Sequence, residues 1–156
     1  MSRRSRTTPL GAVIKGLVAG AIGTAVMTAY QLAAAKAMGS GSSNVPGEVG
    51  KRVLEGVFQR EVSDEQVEKL TNPVHVIYGV SWGPLYGIVQ SSLSRGSGRH
   101  GLAFGTAVWG ASLVQLPAMK LAPPVWEMSP SSIALDLSYH LVYGIGVAAG
   151  YAAIDR

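Results

Sequence analysis

The sequence has no cysteine and little charge. The absence of cysteine excludes disulfides, iron–sulfur clusters, thiolate zinc sites and cysteine nucleophiles. Charged residues make up 14% of the 156 residues, whereas a soluble domain carries about 25%. The charges gather between long stretches that carry almost none, and this uneven distribution is typical of a membrane protein.

The sequence also lacks the short motifs of common enzymes. It contains no zinc-binding His-Glu-x-x-His, and its glycine-rich segments lie in or beside apolar helical stretches rather than after a strand, as a nucleophile elbow or a phosphate-binding glycine loop would require. These absences favour a protein that is not an enzyme, and no residue is predicted to be catalytic. The basic residues form no stripe interleaved with aromatic residues, so nucleic acid is not expected as a partner.

Four stretches are long and apolar enough to cross a bilayer, which requires roughly 20 residues each. They cover, approximately, residues 12–38, 73–93, 101–121 and 132–154. The sequence therefore predicts an all-α membrane protein with four transmembrane helices, in a single membrane domain of residues 1–156. The lipid bilayer is its expected partner.

Residues 45–70, between the first two spans, are the only sizeable polar segment. Four valines recur there at helical spacing, with charged residues on the other faces: Val45, Val49, Val53 and Val57. This pattern predicts an amphipathic helix at the membrane surface or over the mouth of the bundle.

A second, short helix is predicted at the end of this polar segment. Ser63 and Gln66 have the spacing of a capping box, which would start a helix that ends near Leu70. Pro73 is then expected in the first turn of span two, where proline is tolerated.

Spans two and four carry one pattern. Span two reads His75-x-x-Tyr78-Gly79 and then Tyr86, and span four reads His140-x-x-Tyr143-Gly144 and then Tyr151. Each unit holds two spans, so both copies keep the same orientation. The sequence thus predicts two parallel two-helix repeats, related by an axis along the membrane normal, that face each other through spans two and four.

Small residues recur at every fourth position in the spans. We assign six glycines to helix packing, because such rows let backbones approach closely in lipid: Gly16, Gly20, Gly79, Gly83, Gly87 and Gly144.

Five polar residues of spans two and four form the candidate site: His75, Tyr78, Asp136, His140 and Tyr143. A carboxylate inside a span is costly and tends to face the bundle interior or water. Asp136 and His140 are four residues apart and share a helix face, so Asp136 is expected to hold His140 in one tautomer. This pattern favours a channel or transporter for protons or a small solute.

Two other functions stay open at this point. In the first, every polar group serves packing or partner contact, and the chain is a structural or accessory subunit. In the second, His75 and His140 ligate a haem iron from two sides or share a metal ion. The sequence also leaves open a homo-oligomer or a complex with another membrane protein.

Basic residues favour the cytoplasmic side of a membrane. With the N-terminus inside, the inner segments hold one acid, Asp155, against a larger basic set: Arg3, Arg4, Arg6, Lys15, Arg95, Arg99 and Arg156. The sequence therefore predicts that both termini are cytoplasmic.

Two segments carry a resemblance to a known family. They read Gly20-x-x-Gly23-Thr24-Ala-Val-Met27-Thr28 in span one and His75-x-x-Tyr78-Gly79-x-x-Trp82-Gly83 in span two. In these features the chain resembles the YagU-type small bacterial inner-membrane proteins of unknown function. The resemblance implies a bacterial inner-membrane location and supplies no reaction.

Overall fold

The fold is helical throughout the part of the chain that the computed structural model describes, residues 8–41, 43–93 and 98–155. Five α-helices and no strand occur in these ranges. The helices are α1 (Pro9–Met38), α2 (Val45–Phe58), α3 (Asp64–Ser92), α4 (Gly98–Ala118) and α5 (Pro130–Ile154), with a short 3₁₀ turn at Val125–Glu127 before α5. The predicted all-α class is confirmed.

Local chemistry sets the helix ends. The side chains of Thr8 and Ser129 each accept a hydrogen bond from the first turn of α1 and α5, and a proline follows each cap. Ser63 and Gln66 form the predicted capping box at the start of α3. Gly39 ends α1 in the left-handed conformation, with φ of 63°, which glycine adopts without steric cost.

The predicted short helix ending near Leu70 is wrong as a separate element. α3 continues without a break through Pro73 to Ser92. A proline inside a helix costs about 3 kcal/mol by itself. Packing offsets this cost, because α2 lies along the segments on both sides of the proline, with Gly50 against Leu70 and Val74.

α2 contacts α3 through its glycines, which lie beside the first half of the predicted valine stripe. A Cβ on Gly47 would collide with the carbonyl of Val67, so the two backbones meet directly. Val53 and Val57, at the other end of the stripe, are exposed at 42% and 71%. Close backbone approach thus decides which face of α2 is buried.

The four long helices pack in the order α3, α1, α5, α4. α1 contacts α3 on one side and α5 on the other, and α4 packs on α5. α3 and α4 follow one another in the chain, yet their described backbones scarcely touch. One edge of the bundle, between α3 and α4, is therefore open.

All six glycines assigned to packing lie where helices meet. A Cβ on Gly83 would collide with the carbonyl of Gly16 and lie 3.0 Å from the Cα of Gly20. Gly87 approaches the α1 backbone at Ala12 in the same way, Gly79 contacts the Thr24 side chain of α1, and Gly144 approaches Gly101 and Gly105 of α4.

Of the described helices, α1 and α5 are each long and apolar enough to cross a membrane. The four predicted spans fall in α1, α3, α4 and α5, except for the last residue of span two and the last three of span three. The arrangement of four spans and the repeat stay predictions. Five of the basic residues behind the predicted orientation lie outside the described residues: Arg3, Arg4, Arg6, Arg95 and Arg156.

The glycine contacts predict a stability difference between two matched substitutions. Gly83→Ala should lower the free energy of unfolding by about 1–3 kcal/mol, because the added methyl group overpacks the α1–α3 contact. Gly110→Ala in α4 meets nothing within 4 Å and should be neutral or stabilising by up to about 1 kcal/mol. Unfolding by SDS titration in mild detergent measures both, and equal effects would contradict the packing.

Candidate functional site

A cavity of about 580 Å³ occupies the open edge between α3 and α4. α1 and α5 form its other walls, and the α1–α2 linker with the first turn of α2 borders one end. Its size falls within the range of roughly 300–1,000 Å³ that is usual for small-molecule sites.

Side-chain size accounts for the position of the cavity. At the closed α1–α5 edge the backbones meet, and a Cβ on Gly146 would lie 3.0 Å from the Cα of Gly23. On the α3–α4 edge the wall positions carry the large Tyr78 and Trp82 on α3 and Val108 on α4. Large side chains hold these two helices apart.

Ring and polar contacts join α3 to α4. Near the loop that connects them, Tyr86 and Phe104 pack edge to face with centroids 5.0 Å apart, and Nδ1 of His100 lies 3.0 Å from Oε1 of Gln90. Beside the cavity, the Tyr78 hydroxyl donates to Oε1 of Gln115 at 2.9 Å. The gap between the helices is therefore bridged by side chains.

All five residues of the predicted site line this one cavity. His75 and Tyr78 come from α3, and Asp136, His140 and Tyr143 come from α5. α1 and α4 add neutral polar side chains at Thr24, Thr28, Gln31, Ser112 and Gln115. The wall is otherwise mainly apolar, as in most small-molecule sites.

Trp109 holds the carboxylate of Asp136. Its indole Nε1 donates to Oδ2 at 3.0 Å. His140 makes a different contact from the one expected, because its Nδ1 lies 2.9 Å from the backbone carbonyl of Asp136 and 3.7 Å from Oδ1. A carbonyl can only accept, so Nδ1 carries the proton, and the peptide group rather than the carboxylate sets the tautomer of His140.

Tyr143 links α5 to α3 through a hydrogen bond. Its side chain is 2% exposed, and its hydroxyl donates to the carbonyl of Gly79 at 2.6 Å. Two turns further along α5, Tyr151 donates to the carbonyl of Gly87 at 3.4 Å. These two tyrosines therefore connect α5 to α3 across the bundle. The proton of the Tyr143 hydroxyl is used in the bond to Gly79.

His75 has an unused ring nitrogen. Its Nε2 is buried, and no group in the described ranges forms a hydrogen bond with it. A buried polar atom without a partner costs free energy, and among the described residues His75 is the one with a fully buried polar side-chain atom that lacks a partner.

Sequence reasoning missed the partner of Asp136 and the second carboxylate of the wall. Trp109 sits in span three, and a buried indole N–H normally finds an acceptor, which is a signal that could have pointed to Asp136. Glu68 also lines the cavity. The sequence pattern places it in the polar segment outside the bundle, and only the continuous α3 brings it to the wall.

The described residues contain no group of three or more His, Asp or Glu side chains that could hold a metal ion. His75 and His140 both line the cavity, but two histidines alone do not complete the usual four-ligand metal site.

Comparison with known proteins identifies a family whose function is unknown. The family model described as "Family of unknown function (DUF6789)" matches residues 10–156. No curated protein and no solved structure matches the chain. The YagU-type resemblance stays a prediction.

The Trp109–Asp136 contact predicts an energetic coupling. In a double-mutant cycle of Trp109→Phe and Asp136→Ala, the two losses of stability should differ from additive by about 1.5–3 kcal/mol, the range for a hydrogen bond to a charged group. The matched cycle of Trp109→Phe with Glu127→Ala should be additive, because Glu127 is exposed outside the cavity. Additivity in both cycles would contradict the contact.

Proposed function

We propose that this chain, which belongs to the DUF6789 family, is a four-span protein of the bacterial inner membrane that admits protons or a small solute to the cavity between α3 and α4. It would act as a channel or transporter, with both termini in the cytoplasm. The observation that carries the proposal is the convergence of His75, Tyr78, Asp136, His140 and Tyr143 on one cavity.

The exposed faces of α3 and α4 support four spans. Ile77 and Val89 of α3 are 67% and 60% exposed, and Val114 of α4 is 72% exposed. α1 carries a similar face that includes Leu10 and Ile14. Apolar faces of this extent on α1, α3 and α4 are unusual for a soluble protein and suit contact with lipid.

The distribution of charge supports the same arrangement. Residues 73–92 of α3 and 101–118 of α4 contain no Asp, Glu, Lys or Arg. Lys15 and Asp155, near the ends of α1 and α5, pair with each other at 2.7 Å. In a bilayer this ion pair would lie towards the interface, where charged side chains are tolerated.

The proposed repeat accounts for one open and one closed edge. Under the alignment of His75 with His140, Ser81 and Leu85 of α3 correspond to Gly146 and Gly150 of α5. Gly146 and Gly150 allow α5 to close on α1, whereas the larger residues on α3 keep its edge open. After duplication, the two equivalent helix pairs would thus have diverged, so that α1 and α5 pack closely while α3 and α4 leave room for a ligand.

The groups in the cavity can accept protons. Nδ1 of His140 already donates to a carbonyl, so a further proton adds at Nε2. The resulting cation would lie beside Asp136, whose Oδ1 is 3.7 Å from Nδ1. His140 and Asp136 together therefore form a site that a proton can occupy.

Labelling of single cysteines tests the topology, and the natural absence of cysteine makes each substitution specific. Ser40→Cys in the α1–α2 linker should react with a membrane-impermeant maleimide from outside the cell. Leu93→Cys, after α3, should react only from the cytoplasmic side. If α1 and α5 were the only spans, both positions would react from the same side.

Proton flux into proteoliposomes tests the function. The wild-type protein should carry a pH-dependent flux, and Asp136→Asn should reduce it by about tenfold or more, the loss typical for a positioned proton-transfer group. Glu127→Gln is the matched control, because it removes a carboxylate outside the cavity, and it should leave the flux unchanged. A folded wild-type protein with no flux at any pH would instead favour a structural or accessory subunit.

A further inference from the structure

We propose that the cavity binds an organic monocation, such as a protonated or quaternary amine or another lipophilic cation, in competition with a proton at Asp136. This inference rests on the proposed function and names the class of solute. It is drawn from the charge, the hydrogen bonding and the rings of the cavity wall.

The charged and titratable wall residues are acidic groups, histidines and three tyrosines, Tyr78, Tyr139 and Tyr143. α3 contributes Glu68 and His75, and α5 contributes Asp136 and His140. α1, α2 and α4 contribute only uncharged residues, and no lysine or arginine belongs to the wall in the described part of the chain. With both histidines neutral, the wall carries two negative charges, and a cavity lined by one sign of charge concentrates ions of the other.

Asp136 has hydrogen-bonding capacity left over. An ionised carboxylate offers about four acceptor positions, and Trp109 occupies one of them, on Oδ2. The side chain is 37% exposed, and its one ion-pair neighbour in the described ranges is His140, at 3.7 Å. A partly buried carboxylate without a permanent cation is stabilised by a mobile one.

The rings of the wall suit an organic cation rather than a metal ion. Tyr78, Trp82, Tyr139 and Tyr143 line the cavity, and Tyr78 packs edge to face on Trp82 with centroids 6.0 Å apart. Cations are attracted to ring faces within about 6 Å, most strongly to tryptophan. A hydrated metal ion gains little from such a wall, whereas an amine with apolar substituents gains from both its charge and its surface.

Proton and cation compete for the same charge. A proton on Asp136 removes the negative charge that holds the cation, and a proton on His140 places a positive charge beside it. Release of one monocation for each proton bound keeps the charge of the site constant. The proposed proton site would therefore exchange protons for organic cations.

Two probes of the same shape and opposite charge test the assignment. Purified full-length protein in detergent is titrated with tetraphenylphosphonium and, separately, with tetraphenylborate. Tetraphenylphosphonium should bind about tenfold or more tightly than tetraphenylborate, a difference of about 1.4 kcal/mol or more. Its binding should weaken as the pH falls and release protons into a weakly buffered solution.

Variants locate the binding. Asp136→Asn should weaken binding of tetraphenylphosphonium by about tenfold or more, and Glu127→Gln should not. Gln31→Trp places a large ring in the cavity wall and should reduce binding of any solute. Melting of each variant by circular dichroism shows that it is folded, and Glu68→Gln at the exposed mouth gives a second, weaker loss if Asp136→Asn fails to fold.

The outcomes separate the two proposals. Equal binding of both probes, or tetraphenylphosphonium binding that Asp136→Asn and Glu68→Gln leave unchanged, overturns the assignment of an organic cation. Absence of tetraphenylphosphonium binding in a preparation that still carries proton flux overturns the cation and leaves the proposed function standing. If the protein neither binds tetraphenylphosphonium nor carries a proton flux, both the organic cation and the proposed function are overturned.

Discussion

The close approach of α1 to two neighbours is the constraint on which the rest of the structure depends. On one side Gly16 meets Gly83 of α3, and on another Gly23 meets Gly146 of α5. Interior packing is dense, so a backbone contact of this kind fixes the relative position of two helices. α1 lies between α3 and α5, and the backbone of α4 packs on the far side of α5. Side chains alone bridge α4 to α3 in the described ranges. The edge between α3 and α4 therefore has no close backbone contact in the described residues and stays open.

The cavity follows from that arrangement, and its chemistry follows from the residues that the arrangement turns towards it. Tyr143 donates a hydrogen bond to the Gly79 carbonyl of α3, which keeps His140 of α5 and His75 of α3 beside the same cavity. Trp109 reaches from α4 to Asp136 and positions the carboxylate without neutralising it. The same packing that stabilises the bundle therefore leaves an acidic group facing the cavity, and a charged group removed from bulk water is costly unless it is paired.

The helical class and five residues of the cavity wall were predictable from the sequence because both depend on local patterns. Long apolar stretches, the Ser63 capping box and the recurrence of His75 at His140 are each visible within one segment. The continuity of α3 through Pro73 was not predictable, since it depends on the packing of α2 against the flanking turns. The indole N–H of Trp109 indicates that an acceptor is needed, but the sequence does not identify Asp136 as that acceptor, because the two residues are 27 positions apart and their helices pack through glycines.

The separation of α3 and α4 in lipid decides whether the cavity exists in the membrane. Nitroxide labels at Ile77→Cys with Val114→Cys report on the cavity end, and labels at Val89→Cys with Leu102→Cys report on the loop end, all at exposed positions. Double electron–electron resonance should give a clearly longer distance for the cavity-end pair than for the loop-end pair. Equal distances would show that the edge is closed and would contradict the cavity and the proposals built on it.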